Sequence, residues 1–303
     1  MSVVATVVLF NPNLALLKRL YKSLSNQVDS IIFSDNSEDK IIKEDVKNWI
    51  NQLISSDITY LDLHKNHGIA YAQNRGIEVA KERGARFVLL LDQDSALPNS
   101  MVNDLISVYE SLMNTNHKVA TVGPSFLDEK SNALARIIRY DKIGIQKIIP
   151  DESKDFERAH HIISSGSLIP IKVLNEVGMM KESLFIDMVD TEWCIRAKLY
   201  GYDSFVAPKT IMRHSIGDEF VSVGQRKVNL HSDFRNYFIV RNSVYVILYE
   251  RMSLNFRIAQ LLRVPLHILF YSYHSKRRLY SFGLLTKAVI DGILKNMGKG
   301  HFK

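Results

Sequence analysis

The stretch FVLLLDQDS, residues 87–95, joins a run of five apolar residues to two acids that are separated by a single glutamine. A short apolar run of this kind is typical of a buried strand in a parallel sheet. Ligands of such sheets bind outside the carboxyl ends of the strands. Asp92 and Asp94 stand at the expected end of the strand, so the stretch predicts a ligand site at that edge of the sheet.

Further apolar runs alternate with stretches of helical periodicity on either side of this strand. The predicted strands are 3–10, 30–34, 58–63, 87–91 and 119–124, and the predicted helices are 14–27, 38–54, 70–84 and 99–114. This alternation indicates an α/β fold in which helices cover both faces of a parallel sheet.

The pattern is less regular beyond residue 124. Residues 125–160 predict loops and short strands, whereas HIISSGSLIP (161–170) predicts a strand that enters a glycine turn. Helices are predicted near 171–177 and 188–200, and the basic and aromatic tail from 234 onward is predicted to be helical. We therefore expect one domain over 1–232, with halves at about 1–124 and 125–232, and a helical extension over 233–303.

Charge and cysteine content restrict the class of protein. The 303 residues carry a net charge of +7 and one cysteine, Cys194, so no intramolecular disulfide can form and a reducing compartment is expected. The N-terminus lacks a positively charged leader before its apolar run, which predicts a cytoplasmic rather than an exported protein. Neither zinc-finger spacing nor an aromatic RNA-binding motif is found, so no nucleic-acid partner is expected.

Polar residues follow several of the predicted strands. They are Asn11, Asp35–Asn36, His64–Asn66 and Asp92–Ser95. Carboxylate oxygens suit a hard cation such as Mg²⁺ or Mn²⁺, which commonly completes its coordination with substrate phosphate. Taken alone, the acid pair is also explained by a turn at Asp92 and a helix N-cap at Asp94 or Ser95.

An ordered set of motifs over about residues 3–245 resembles glycosyltransferase family 2, and within it the bacterial rhamnosyltransferases. The motifs are LFNPN (9–13), SDNS (34–37), NHGIAYAQNRGIEVA (66–80), LLLDQDS (89–95), ISSGSLIP (163–170), LFIDMVDTEWCIRAKLYGY (184–202) and RHSIGD (213–218). The DQDS form, together with SSGSLI and DTEW, narrows the resemblance to the rhamnosyl branch. The resemblance implies a GT-A fold, with a Rossmann-like, mostly parallel central sheet flanked by helices, followed here by a C-terminal helical extension.

The resemblance assigns the acid pair to a metal and a nucleotide sugar. It implies that Asp92 lies near the ribose and that Asp94 holds the metal that bridges the diphosphate, with Gln93 between them in the donor site. Asp92 and His214 are further candidate metal ligands, and the implied ion is Mg²⁺ or Mn²⁺. For His214 the alternative is an ordinary surface or core histidine in a loop.

The resemblance places the rest of the donor site on the loops after the first strands. Asp35 is implied to contact the base, beside the backbone of Phe10 and Asn11. The remaining candidates for donor binding are Asn66, Gly68 and Asn74. The glycine is also explained by loop geometry alone.

The second half of the chain carries the candidates for the acceptor side. Asp190 aligns with the general base of the family, and Glu192 is the alternative base, although its spacing of four from Arg196 also predicts an ordinary helix ion pair. The residues implied to line the acceptor or sugar pocket are Ser164, Ser165, Gly166, Asp187 and Trp193. For the tryptophan, packing in the core is the alternative to stacking on a sugar.

The implied reaction is a metal-dependent, inverting transfer of L-rhamnose from dTDP-β-L-rhamnose to a saccharide. One carboxylate acting on the acceptor hydroxyl suffices for such a displacement. The acceptor is expected to be lipid-linked and the product to be a bacterial surface polysaccharide such as O-antigen or capsule. Two alternatives stay open, namely another donor such as UDP-glucose or UDP-galactose, and a non-catalytic protein that binds nucleotide sugars.

The tail over residues 254–303 mixes basic residues with large apolar ones. Its apolar run 264–273 is too short to span a bilayer. One interpretation is an interfacial helix that binds anionic headgroups on the inner face of the cell membrane. The other is a packed helical extension or a homodimer surface.

Overall fold

The structure is a computed structural model of the chain. It describes residues 2–53, 56–128, 133–141, 144–214, 219–223 and 226–302. For residues 140, 141, 144, 145, 214, 219–223 and 226–229 it describes the backbone alone.

Strands and helices alternate through the first half of the chain, as the sequence predicts. The strands are β1 (Val3–Leu9), β2 (Ser30–Asp35), β3 (Ile58–Asp62), β4 (Phe87–Asp92), β5 (Val119–Asp128), β6 (Ala133–Leu134), β7 (Ile137–Asp141), β8 (Gly144–Ile148), β9 (Glu157–Ala159), β10 (Ser167–Pro170), β11 (Asp203–His214), β12 (Glu219–Val223) and β13 (Arg226–Leu230). The α-helices are α1 (Leu14–Leu24), α2 (Lys40–Asn51), α3 (Ile69–Glu82), α4 (Met101–Asn114), α5 (Ile171–Val177), α6 (Val189–Leu199), α7 (Asp233–Tyr249), α8 (Leu254–His274) and α9 (Arg278–Ile293). Short 3₁₀ helices span Glu182–Leu184 and Gly300–Phe302.

One large sheet with strand order β3-β2-β1-β4-β10-β5-β11-β9 forms the centre of the protein. β1 pairs in parallel with β2 and β4, and β5 pairs in parallel with β11. β10 is antiparallel to both β4 and β5, so β4 and β5 point the same way. The predicted α/β fold with a mostly parallel sheet is confirmed, and the carboxyl ends of β1, β2 and β4 meet at one edge.

The prediction for residues 161–170 has the strand on the wrong side of the turn. Gly166 has a φ of 81° and donates its amide to the carbonyl of Leu90 at 2.8 Å. This turn sends the chain back along β4, so the strand Ser167–Pro170 follows the glycine instead of preceding it.

Apolar side chains cover both faces of the sheet, as the continuous apolar strands require. On β1, Val3, Ala5, Val7 and Leu9 contribute to one cluster with α1, α2 and α4. Val4 contributes to a second cluster, with α3, α5 and α6, on the other face. Each fully buried leucine in such a cluster contributes about 1.5–3 kcal/mol. The two layers therefore hold the ends of the strands in fixed positions, and the loops after β1, β2 and β4 start from these ends.

The C-terminal extension consists of helices, as the sequence predicts. α7 buries Tyr237 and Phe238 in a third apolar cluster that also contains Phe185 from the loop before α6. In α8, Val264 and Ile268 pack against this cluster. No helix of the described residues is long and apolar enough to cross a membrane.

Candidate active site

A cleft of about 750 Å³ opens at the edge of the sheet where β1 and β4 end. Five parts of the chain line it. The ends of β1 and β4 contribute Phe10 and Asp92–Asp94, and the loops after β2 and β3 contribute Asn36, Asn66 and Gly68. The turn before β10 contributes Ser164, the loop before α6 and its first turn contribute residues 185–190, and the segment around the start of α7 contributes His231, Phe234 and Arg235.

The acid pair lies in a short loop, residues 92–95, which we call the acid loop. Gln93 holds the shape of this loop. The amide oxygen of Gln93 accepts from the backbone N–H of Phe10 at 2.7 Å, and its amide nitrogen donates to the carbonyl of Phe10 at 3.2 Å. Arg19 donates to the carbonyl of Asp94 at 3.0 Å. The loop is therefore tied to the end of β1 and to α1, which fixes the backbone that presents Asp92 and Asp94 to the cleft.

Asp92 and Asp94 are suited to a hard divalent cation. Both carboxylates are partly exposed and line the cleft, so their oxygens are accessible to an ion that also contacts a diphosphate. Within the part of the chain that the structure describes, no three His, Cys, Asp or Glu side chains already form a metal cluster. Two protein carboxylates completed by phosphate oxygens is the coordination that Mg²⁺ commonly adopts. The acid pair thus fits the predicted metal.

The side chain of His214, the third predicted metal ligand, lies outside the described residues. Its backbone is the last residue of β11 and pairs with Asp128.

The predicted base-contacting residue, Asp35, is fully buried at the end of β2. One carboxylate oxygen accepts from the Tyr60 hydroxyl at 2.6 Å and the other from the backbone of Ser37 at 2.8 Å. Burial and this bond raise the pKa of Tyr60. Asn11 at φ 44° accepts from the backbones of Glu38 and Asp39. Both predicted residues therefore shape the loop 35–39 through its backbone.

Gly68 stands at the start of α3, where two loops touch. Its φ is 93°, and a Cβ on it would lie 2.5 Å from the Phe185 carbonyl oxygen. The Asn66 side chain accepts from its amide at 2.9 Å, and Asn36 donates to its carbonyl at 2.8 Å. Asn66 and Gly68 line the cleft. Asn74 lies six residues further along α3, is buried, and bonds both to the carbonyl and to the amide of Met180. Asn74 therefore joins α3 to the segment before α6.

Two acids reach the cleft from the loop before α6 and from its first turn. Asp190 lines the cleft and accepts from the backbone of Thr191 at 2.7 Å. Asp187 accepts from Arg235 of α7 at 2.7 Å. With Asp92 and Asp94 they place four carboxylates around one cavity, and Arg235 is a cation within it. The sequence offered no signal for His231, Phe234 or Arg235, which belong to no motif.

Glu192 and Trp193, also on α6, are buried in the core. Glu192 is 1% exposed and forms a double ion pair with Arg196 at 2.8 and 3.0 Å. The same guanidinium donates to the carbonyls of Val177 and Met179. The Trp193 indole is 1% exposed and donates to the Gly178 carbonyl at 2.8 Å. These contacts correspond to the structural interpretation that the sequence left open for each residue.

The serine turn before β10 contributes one residue to the cleft and two to its support. Ser164 lines the cleft. Ser165 is buried, lies 2.6 Å from the Ser95 hydroxyl, and accepts from the backbone of Asp92 at 3.3 Å. Gly166 makes the tight turn described above. The turn therefore holds the acid loop in place through the contacts of Ser165 with Asp92 and Ser95.

Comparison with known proteins matches this chain to one family. The family model for glycosyl transferase family 2 matches residues 5–178. The chain is 31% identical over 302 residues, 99% of its length and 98% of the relative's, to the dTDP-rhamnosyl transferase RfbF of Shigella flexneri. It is 21% identical over 235 residues, 76% of its length and 72% of the relative's, to the low-salt glycan biosynthesis hexosyltransferase Agl10 of Haloferax volcanii.

Solved structures share the fold at low sequence identity. GalNAc-T7 with UDP, GalNAc and Mn²⁺ superposes with a TM-score of 0.64 at 15% identity, over 97% of this chain and 57% of that chain. The mannosyltransferase PcManGT of Pyrobaculum calidifontis, with GDP-Man and Mn²⁺, gives a TM-score of 0.55 at 13% identity, over 96% of this chain and 75% of that chain. The predicted GT-A-type fold is confirmed by these neighbours. The chain is a glycosyltransferase and belongs to glycosyl transferase family 2.

Proposed function

We propose that the protein transfers L-rhamnose from dTDP-β-L-rhamnose to a saccharide acceptor, with inversion at the anomeric carbon. The similarity to a dTDP-rhamnosyl transferase over nearly the whole chain carries the choice of donor. The acid loop and the loop before α6 meet across one cleft, which supports a donor and an acceptor bound side by side. The acceptor is proposed to be a lipid-linked precursor of a surface polysaccharide.

The reaction needs a base for the acceptor and help for the leaving group. Asp190 lines the cleft and takes the proton of the acceptor hydroxyl as its oxygen bonds to the anomeric carbon. The bond from that carbon to the diphosphate breaks with its electron pair, and dTDP leaves. Asp92 and Asp94 would hold Mg²⁺ or Mn²⁺, which would neutralise the charge on the departing diphosphate. Ser165 and Gln93 keep the acid loop in place.

The choice of donor is tested by comparing dTDP-L-rhamnose with UDP-glucose and UDP-galactose. At 100-fold over its Kd a ligand adds about 2.7 kcal/mol to the free energy of unfolding, so the preferred donor should raise the melting temperature by several degrees. We expect dTDP-L-rhamnose to give the largest shift and to be consumed with release of dTDP. A larger melting-temperature shift together with turnover of a UDP-sugar would show that this UDP-sugar, and not dTDP-L-rhamnose, is the donor. Binding without turnover, with water or added lipid-linked saccharides as acceptor, would indicate a non-catalytic protein.

The metal is tested by chelation. With EDTA, release of dTDP should fall by about 10²-fold or more, because a metal supplies several kcal/mol of charge stabilisation, and Mg²⁺ or Mn²⁺ should restore it. The melting-temperature shift by the donor should also shrink, since Asp92 and Asp94 would hold the diphosphate with the help of the ion. Replacing Asp94 by Asn should raise the metal concentration needed. An unchanged rate in EDTA would contradict the assignment.

We further propose that the exposed face of α8 contacts an anionic membrane surface. Six large side chains along this helix are each at least 60% exposed, namely Leu254, Leu261, Leu262, Leu266, Leu269 and Tyr273. Residues 251–290 contain seven Lys or Arg and no Asp or Glu. An apolar stripe among basic residues is the composition of helices that lie in the interface of anionic bilayers. A second copy of the chain would instead bring like charges together.

A further inference from the structure

The loop Leu184–Met188 before α6 has a backbone that its sequence alone would not adopt. Three of its residues have positive φ, with 65° at Phe185, 61° at Asp187 and 64° at Met188, and none of them is glycine. Side chains rarely occupy this region, and such residues persist only where surrounding structure holds them. The loop places Asp187 in the cleft and leads directly into Asp190.

One buried side chain of α7 holds most of this loop. Asn242 is fully buried, and the two N–H groups of its amide donate to three carbonyls, those of Leu184 at 2.9 Å, Ile186 at 2.8 Å and Asp187 at 2.9 Å, so that one N–H is shared. Its amide oxygen accepts from the guanidinium of Arg241 at 2.8 and 3.0 Å. The donor and acceptor capacity of Asn242 is thus spent on this loop and on Arg241.

Arg241 supports the same arrangement from beside it. It is fully buried and donates to the carbonyls of Leu184 at 3.0 Å and Gly298 at 2.6 Å. Its guanidinium lies 4.6 Å from the ring centre of Phe238, and burial lowers its pKa to about 10. A buried cation with carbonyl partners is costly to place. Its bond to the Leu184 carbonyl adds a second contact from α7 to the same loop.

The held loop also touches the donor side of the cleft. The Phe185 carbonyl accepts from the amide of Ile69 at 2.7 Å, next to Gly68. Arg235, from the same helix as Asn242, pairs with Asp187. We call the segment 66–68 before α3 the donor loop. The backbone of residues 184–187 therefore sets the distance between the donor loop and the acids on the acceptor side.

We propose that Asn242 is a positioning residue for glycosyl transfer, which fixes Asp187 and Asp190 against the donor through the three carbonyls of the loop. The proposal rests on the proposed function. It assigns the C-terminal extension a part in the reaction geometry, independent of any membrane contact.

The change Asn242→Asp removes the hydrogen bonds to the loop carbonyls and keeps the bonds from Arg241. A carboxylate has nearly the shape of the amide and still accepts from Arg241, but it cannot donate to the three carbonyls. The loop should shift toward ordinary backbone angles and misplace Asp190. A displacement of about 1 Å costs roughly 10²-fold in rate, so we expect kcat for dTDP release to fall by about that factor while the donor KM changes less than about threefold.

The matched control is Gln27→Ala. The amide of Gln27 likewise bonds to three backbone groups, of Ser23, Pro98 and Val102, but in the layer of α1 and α4. It should lower the melting temperature and leave kcat near that of the unchanged protein. If Asn242→Asp does not melt cooperatively, Asn242→Ser, which keeps one donor, should give an intermediate loss of kcat with the donor KM retained.

A kcat within about threefold of the unchanged protein, for a folded Asn242 variant, would overturn the proposal. Equal losses in kcat and donor affinity would also overturn it, since they would indicate a general structural role. Failure of the proposed function looks different, because the unchanged protein would then release no dTDP from dTDP-L-rhamnose.

Discussion

At the scale of single residues, Gln93 shows how a motif position gains a physical reason only from the fold. In the sequence it is the middle of an acid pair, and nothing in DQDS says why an amide is needed. In the structure its side chain makes one bond as acceptor and one as donor to the backbone of Phe10. An acid could not donate and an apolar side chain could do neither. Gln93 therefore both lines the cleft and fixes the loop that carries Asp92 and Asp94.

The same scale separates the two candidate bases, Asp190 and Glu192. Asp190→Asn should lower the rate of dTDP release by about 10²–10⁴-fold, the usual contribution of a general base, with little change in melting temperature. Glu192→Gln should lower the free energy of unfolding by about 1–3 kcal/mol, because Arg196 loses a buried charged partner, and should leave the rate of the folded protein nearly unchanged. Rates and thermal denaturation of both variants check this. Near-normal turnover by Asp190→Asn would remove it as the base.

At the scale of elements, the local sequence pattern predicted the strands and helices better than it predicted the loops. The strands and helices of the first half lie within a few residues of their predicted bounds, because continuous apolar runs and helical periodicity reflect burial directly. The strand at 167–170 was misplaced, since an antiparallel insertion between β4 and β5 depends on pairing far along the chain. The positive φ of Phe185, Asp187 and Met188 could not be predicted either, because the contacts that hold this loop come from Asn242 of α7, more than fifty residues away.

The contact between the donor loop and the loop before α6 predicts an unequal cost for two similar glycine substitutions. Gly68→Ala places a Cβ against the Phe185 carbonyl on a backbone, at φ 93° and ψ 161°, that is essentially restricted to glycine. Gly84, at φ 69°, has nothing within 4 Å of its Cβ position. Gly84→Ala should cost about 1–2 kcal/mol of stability from backbone strain alone. Gly68→Ala should cost more and should also weaken donor binding, because α3 and the loop must separate. Equal denaturation midpoints and equal donor shifts for both variants would contradict this.

At the scale of the whole molecule, the extension acts on the site and presents a surface at the same time. α7 contributes Phe234 and Arg235 to the cleft and holds the loop Leu184–Met188. α8 packs on it through Val264 and Ile268 and turns its leucines outward. Since α8 is fixed to the helix that shapes the cleft, docking through α8 would hold the cleft in one orientation above the bilayer. A lipid-linked acceptor would then approach from a constant direction.

This arrangement predicts that the outward leucines govern membrane binding without being needed for folding. The double change Leu262→Ser and Leu266→Ser removes two side chains that are 63% and 66% exposed. If each leucine gains about 1.5 kcal/mol in the lipid interface, binding to phosphatidylglycerol vesicles should weaken by about 10²-fold. Ile41→Ser, at a position that is 76% exposed on α2, is the matched control and should bind like the unchanged protein.

Co-sedimentation with phosphatidylglycerol and with phosphatidylcholine vesicles measures both the apolar and the charge contribution to membrane binding. An unchanged protein that stays in the supernatant, or a double variant that sediments equally, would contradict the membrane surface. A dimer that the same two changes dissociate would assign this face to a second copy.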